Sequence, residues 1–441
     1  MAKISMVSLG CPKNLVDGEM LLHSLKTEGH EITPYENEAD VIIVNTCGFI
    51  GDAKKEAIEN ILESARYKTE GNLKALIVTG CLAERYKDDI LSEFPEVDAV
   101  VGIGKNGDIA EIVKNALNGE RNSYYAPKEH LDINAPRLVS TPFYTAYIKI
   151  AEGCDNNCTY CAIPLIRGKF FSRKIEDIVK EAEGLAKNGV KEVILVAQDT
   201  TKYGSDIYGE PKLDILLEEI SKIEGIEWIR TLYTYPEKIT DGLIKTVKTN
   251  PKVCKYFDMP IQHCNKRILK RMNRKGDRES LTKVIDKIRA EIPNVTLRTT
   301  LITGFPGETD QEFSELCEFV KQTEFDRLGC FAYSPEEDTP AATFPDQIDE
   351  QIKLDRADII MNDQLVIVNQ KNEDKIGTVE KVLVEGYDDY IKCYFGRSEA
   401  DAPDIDGKVF FISKTALSIG DFVNVRINDT IEYDLLGEKE L

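Results

Sequence analysis

A chain of 441 residues, 42% of them hydrophobic and 30% charged, is long enough for about three domains with separate cores. Its net charge of −21 repels phosphate backbones and favours basic partners, which disfavours a nucleic-acid binder working through surplus Lys and Arg. No run approaches the roughly eighteen apolar residues of a membrane span, "ISMVSLG" is too short for a signal core, and the odd count of eleven cysteines does not suit a secreted disulfide framework; a protein of the reducing cytoplasm is expected.

In the first segment one pattern occurs three times: a short β-branched apolar run, a cysteine, then a helical stretch. The runs are "ISMVSLGC" ending at Cys11, "VIIVNTC" ending at Cys47 and "ALIVTGC" ending at Cys81. Continuous apolar runs between helices read as buried parallel strands of an open α/β sheet. The helices show the matching spacing, with Leu21, Leu22 and Leu25 in one and Ala57, Ile58, Ile61, Leu62 and Ala65 in the next. In such a sheet ligands gather at the carboxyl ends of the strands, where all three thiols fall. One such cysteine is ordinarily a small buried hydrophobe; three at equivalent positions are expected to converge. The sequence thus divides into a first domain over 1–118 and, from its Pro, Asn and Ser content and lost periodicity, a linker over 119–140.

Residues 141–373 carry six candidate strands alternating with helical stretches: "FYTAYIKIAEGC", "EVILVAQDT", "IEWIRTLYTYP", "KYFDMPIQH", "VTLRTTLITGFPGE" and "FDRLGCFAYSPE". This predicts an incomplete (βα)6 barrel with functional groups at the carboxyl ends of the strands. Directly after the first strand stands "GCDNNCTYCAIP", with Cys154, Cys158 and Cys161 and no fourth ligand nearby. A closed zinc site takes four protein ligands, whereas a cubane of four irons held by three thiolates keeps one iron open to a small molecule. A redox pair with a bystander and an incomplete zinc ribbon are the plainer readings, but CxxxCxxC spacing suits neither. Cys11, Cys47 and Cys81 repeat the arithmetic of three ligands without a fourth, so a second 4Fe-4S cluster is inferred there.

CxxxCxxC with the aromatic Tyr160 before its third cysteine resembles the radical S-adenosylmethionine enzymes. The resemblance implies that the open iron binds the amino and carboxylate groups of S-adenosylmethionine, whose cleavage yields a 5'-deoxyadenosyl radical. Other strand ends carry text suited to the cofactor: Gln198, Asp199 and Thr200 on the second strand, Tyr235 and Pro236 on the third, "TGFPGE" on the fifth, although turn chemistry alone accounts for such Gly and Pro residues equally well. Tyr160, Gln198, Thr200 and Arg298 are the candidate cofactor contacts. Arg298, a charge on an otherwise apolar strand, needs a partner, and a carboxylate would serve. His263 is left as a structural residue, and Cys254, Cys264, Cys317, Cys330 and Cys393 show no ligand spacing.

The tail over 374–441 turns to short β-rich runs, "GTVEKVLVEGY", "YIKCYF", "GKVFFI", "DFVNVRIN" and "TIEYDLLG", which predict a small five-stranded OB-like barrel. It holds eight Lys and Arg against fifteen Asp and Glu, a surface that should repel tRNA and suit a basic protein.

Across nearly its full length the chain resembles the methylthiotransferases, in which a cluster domain, a radical S-adenosylmethionine barrel and a TRAM domain follow one another. "CTYCAIPLIRGKFFSR" resembles the family's cluster loop, "MPIQHCNKRILKRMNR" its barrel segment and "GRSEADAPDIDGKVF" its TRAM motif. "LGCPKNLVDGEM" and "LVAQDT" resemble the branch that modifies an aspartate of the twelfth small-subunit ribosomal protein; the tRNA-modifying branch more often has "GCQMN" and "GQNV" there. Gly18 departs from the serine common in the first branch. The resemblance implies two 4Fe-4S clusters and two uses of S-adenosylmethionine, one to methylate sulfur at the N-terminal cluster and one to make the radical. It implies no protein nucleophile or base. The alternatives are a tRNA methylthiotransferase acting on a modified adenosine and a non-catalytic iron-sulfur RNA-binding protein; three-thiol sites disfavour the latter, since structural and electron-carrying clusters usually bind all four irons.

Overall fold

The computed structural model describes residues 1–128 and 131–440. Six strands, β1 (Lys3–Ser8), β2 (Glu31–Ile32), β3 (Val41–Thr46), β4 (Ala75–Gly80), β5 (Ala99–Val101) and β6 (Asn122–Tyr124), form a wholly parallel sheet in the order 2-1-3-4-5-6. β3 and β4 are buried along their whole length, as helices on both faces require. Helix α1 (Pro12–Thr27) opens with extended Cys11 as its N-cap and Pro12 in its first turn, where the missing N–H costs nothing. It buries Leu21 and Leu25. Helix α2 (Gly51–Glu70) buries Ala57, Ile61 and Ala65, while Ile58 and Leu62 lie exposed, so its apolar stripe is narrower than the spacing suggests.

The three long strands are those their apolar runs predict. β2, β5 and β6 have two or three residues each, too few to show periodicity. β6 is a correction to the linker: Asn122–Tyr124 pairs with Ala99–Val101 as the sheet's edge strand.

All six predicted barrel strands are present: β7 (Thr145–Lys149), then, after the two-residue pair β8 (Ala151–Glu152) and β9 (Phe171–Ser172), β10 (Glu192–Val196), β11 (Trp228–Thr231), β12 (Tyr256–Gln262), β13 (Thr296–Thr303) and β14 (Arg327–Ala332). They hydrogen-bond as two parallel sheets, β7-β10-β11 and β12-β13-β14, with the bridge Ile229 to Val253 beside the seam. Val193, Leu195, Leu297 and Leu301 pack outward against helix residues such as Ile178, Leu216 and Ile285. Pro260, which lacks an N–H, coincides with a register shift between Met259 and Gln262 in β12.

After the long helix Glu350–Glu373, the strands β15 (Val379–Asp388), β16 (Cys393–Ser398), β17 (Val409–Ile412), β18 (Phe422–Ile431) and β19 (Asp434–Lys439) close a barrel in the order 15-16-17-19-18. Its loop 399–406 covers the N-terminal ends of the large barrel's strands. There Arg230 donates to the Glu399 carbonyl (2.8 Å), Arg327 pairs with Asp401 (2.5 Å), Tyr256 donates to Asp406 (2.6 Å), and Arg397 reaches Glu192 (2.6 Å). Among the described residues no helix is long and apolar enough to cross a membrane.

Candidate iron-sulfur sites

β1, β3 and β4 are neighbours in the sheet, so Cys11, Cys47 and Cys81, each just past one of these strands, come together at one edge. The approach is close: a Cβ on Gly10 would lie 2.7 Å from the Cys47 Cβ, and Gly10 itself has φ +86°. The thiols feel one another electrostatically. Burial and the neighbouring Cys81 and Cys11 push Cys47 up to about 12, whereas at Cys11 the charges of Lys13 and Arg167 outweigh burial and hold it below the ordinary thiol value. All eleven cysteines are free thiols.

The second set sits on the loop between β8 and β9. Gly153 has φ +71°, and a Cβ there would lie 2.0 Å from the Lys169 carbonyl, so only glycine closes this hairpin. Cys154 N–H donates to the Gly168 carbonyl (3.0 Å), Thr159 N–H to Met272 (3.0 Å), and the Asn273 side chain to the Asn157 carbonyl (2.9 Å), pinning the loop from two sides. Burial raises Cys161, with Cys158 and Cys154 adding to it.

Among the described residues no three of His, Cys, Asp and Glu close on one point as ligands of a single metal ion do. Three thiols without a fourth donor suit a cubane with one open iron better than a closed zinc site.

Around the second set the structure leaves buried polar atoms unpartnered. Both side-chain ends of Gln198 lack a hydrogen bond, and so do Nε and Nη1 of Arg274, whose guanidinium stacks 4.2 Å over the Tyr235 ring. Such groups call for a polar partner, a ligand or ordered water. The Tyr160 ring packs against the cluster of Ile268, Met272, Phe305 and Tyr333. Thr200 is buried with its hydroxyl on the carbonyls of Leu232 (2.8 Å) and Tyr233 (3.0 Å). Arg298 already has its carboxylates: Asp258 at 2.8 Å and Asp406, on the loop that covers the far mouth of the barrel, at 3.5 Å. His263 is buried in a turn, its Nδ1 accepting from Asn265 N–H (2.9 Å). In "TGFPGE" the Glu308 side chain accepts from Gly304 N–H (3.0 Å) and pairs with Arg356 (2.7 Å), which is turn chemistry.

The residues that join the two thiol sets were not evident from the sequence. Arg167, on the short helix after Cys161, crosses to the N-terminal domain: it lies 3.4 Å from the Cys81 Sγ, 3.3 Å from Asn14 Oδ1, and pairs with Asp17 and Glu152. Lys149 binds the same two carboxylates. Two buried cations and two buried anions thus balance. The Arg in "IPLIRG" gave no spacing signal, because its partners are distant in sequence; Arg274 was hidden in the basic run "NKRILKRMNRK" and only burial separates it from its neighbours.

Comparison with known proteins agrees with this layout. Residues 3–102 match the Uncharacterized protein family UPF0004, residues 148–320 the Radical SAM superfamily and residues 376–439 the TRAM domain. A radical S-adenosylmethionine methyltransferase, TsrM of Kitasatospora setae, shares the fold at a TM-score of 0.58 over 87% of this chain and 79% of that one, at 13% identity. Thiol triads, barrel and TRAM domain together define a radical SAM methylthiotransferase. Proteins called ribosomal protein uS12 methylthiotransferase RimO are 52% identical in Pelotomaculum thermopropionicum (100% of this chain, 99% of that protein), 51% in Clostridioides difficile (99% and 99%) and 53% in Acetivibrio thermocellus (99% and 98%). The chain belongs to this RimO family.

Proposed function

We propose that the enzyme adds a methylthio group to the β-carbon of an aspartate in ribosomal protein uS12. What supports this is that Arg167, on the helix directly after Cys161, reaches Cys81 and Asp17 of the N-terminal domain, while Ala162 and Ile166 pack with Cys81, so the loop carrying one cysteine triplet abuts the strand end carrying the other. Cys11, Cys47 and Cys81 would hold one 4Fe-4S cluster; Cys154, Cys158 and Cys161 would hold the other. Gln198 and Arg274 offer unpartnered buried donors and an acceptor for the polar groups of S-adenosylmethionine, with Tyr160 and Tyr235 as apolar walls. Thr200 shapes that end of the barrel by fixing the Leu232 and Tyr233 carbonyls, and Arg298 ties the barrel to loop 399–406. When bound, the clusters and S-adenosylmethionine would supply the radical and the methyl group, with sulfur presented at the N-terminal cluster.

The acidity of the TRAM barrel supports a basic protein substrate over tRNA. Asp401 and Asp406 turn inward to arginines, but Asp374, Asp404, Asp429, Glu432 and Glu438 are exposed and can steer a basic partner. The test is mass spectrometry of uS12 and bulk tRNA after incubation with the reconstituted enzyme. A gain of about 46 Da on uS12, a methylthio group replacing hydrogen, is expected; methylthiolation of tRNA with uS12 unmodified would sink the reading.

A further inference from the structure

Lys13 is 6% exposed, in the first turn of α1 and two residues from Cys11. Among the described residues no carboxylate lies within 4.0 Å of its ammonium, whereas Lys149 and Arg167 share Asp17 and Glu152; besides Tyr233, the anionic group that acts on Lys13 is the Cys11 thiol. What Lys13 has instead is the face of Tyr233, with Nζ 3.5 Å from the ring centroid. A ring face is a weaker partner for an ammonium than a carboxylate, so the position is suited to receive an anion.

Its place says which anion. Tyr233 and Tyr235 lie two residues apart past the end of β11. Tyr233 meets Lys13 on the side of the N-terminal thiols; Tyr235 stacks with Arg274, which borders Tyr160 and Cys158. The tyrosine under Lys13 is held firmly: Tyr233 has φ +61°, its N–H donates to Asp258 (2.9 Å), and its carbonyl accepts from Thr200. A substrate carbon that must meet both thiol sets has to come between them, and Lys13, two residues from Cys11 and over Tyr233, stands on the side of the first set. In an aspartate the carboxylate is bonded directly to the β-carbon, so fixing the one aims the other. In a nucleotide of tRNA the nearest anion is a backbone phosphate, several bonds from any base carbon.

We propose that Lys13, seated on Tyr233, binds the side-chain carboxylate of the substrate aspartate and so sets both the position of its β-carbon and the preference for an acidic residue. This rests on the uS12 reading above and names the contact that would carry its specificity.

The test uses the anaerobically reconstituted full-length enzyme and two fluorescent synthetic uS12 peptides, one with the target aspartate and one with asparagine in its place. Wild type is expected to bind the aspartate peptide more tightly by roughly 30-fold or more, the loss typical when one partner of a buried charge pair is removed. Lys13→Met should bind both peptides equally with iron content intact, and Lys13→Arg should keep most of the preference. Equal binding of the two peptides by wild type would overturn the proposal without recourse to any variant. So would a Lys13→Met enzyme that retains the aspartate preference while its N-terminal cluster changes, for then the lysine balances cluster charge. A wild type that methylthiolates tRNA and not uS12 would remove the function itself, an outcome read independently of Lys13.

Discussion

Arg167 Nη2 lies 3.4 Å from Cys81 Sγ, so a guanidinium carried by the barrel domain touches a thiol of the N-terminal domain. A donor on a cluster thiolate tunes the cluster and fixes its ligand's direction. Replacing Arg167 by methionine removes that donor and leaves Asp17 and Glu152 with Lys149 alone, a buried imbalance worth about 3–5 kcal/mol. The expected outcome is lower thermal stability and, in protein that retains iron, a more negative potential of the N-terminal cluster by EPR-monitored titration. Arg167→Lys should recover stability better than it recovers the potential.

The thiol triads should separate on substitution. Wild type is expected to hold about eight irons after anaerobic reconstitution. With Cys154, Cys158 and Cys161 changed to alanine, about half the iron and all reductive cleavage of S-adenosylmethionine should be lost. With Cys11, Cys47 and Cys81 changed, the other half should go while cleavage continues; unchanged iron in this second variant would show that those thiols hold no cluster.

Arg274 and Gln198 should matter for cofactor affinity. Arg274→Met is expected to weaken S-adenosylmethionine binding by about 10- to 100-fold, and Gln198→Leu by less, since a lost hydrogen bond to a charged group costs more than one to a neutral group. Equilibrium binding to reconstituted enzyme measures both. Arg298→Met should leave that affinity nearly unchanged and loosen the TRAM barrel.

Acid should release the TRAM loop. Burial alone would raise Asp401 and Glu192, but Arg327 at the first, and Arg397 and Arg230 at the second, hold both below ordinary carboxylate values. Their stabilisation is therefore fully present above the unfolded values of about 3.9 and 4.3 and is lost as pH falls through the lower folded values. Asp406, raised by burial, titrates in the opposite sense and offsets part of this. Hydrogen exchange in residues 399–406 should be steady, after correction for intrinsic rate, from about pH 5 to 8 and rise near about pH 3. Asp401→Asn should bring that looseness to neutral pH.

Much of this was legible in the sequence because the informative features are local. Apolar runs ending at Cys11, Cys47 and Cys81 mark strands whose ends must meet once the sheet is parallel, and CxxxCxxC is contained in eight residues. The small strands of residues 374–441 carry their own alternation and turn residues. What escaped was long-range. Arg298 looked unpartnered on its strand because Asp406 lies on a loop 108 positions later. Arg167 and Lys13 acquire their meaning only when the N-terminal sheet docks on the barrel. Ile58 and Leu62 share the spacing of buried residues yet face outward, since periodicity gives the direction of a stripe and not its width.

Val16 of α1, Trp228 of β11, and Leu383 and Ala402 of the TRAM barrel belong to a single apolar cluster, and the Trp228 ring meets Phe422 edge-on at 4.7 Å. Three segments that family descriptions treat as modules are thus sewn through one interior. Loosening one of the three therefore exposes apolar surface of the other two, so heat or denaturant should weaken them together. The same stitching orders its synthesis: while the ribosome is still adding residues short of Ala402, the centre of the barrel lacks part of its packing, and the growing chain must wait for its last domain to finish its middle one.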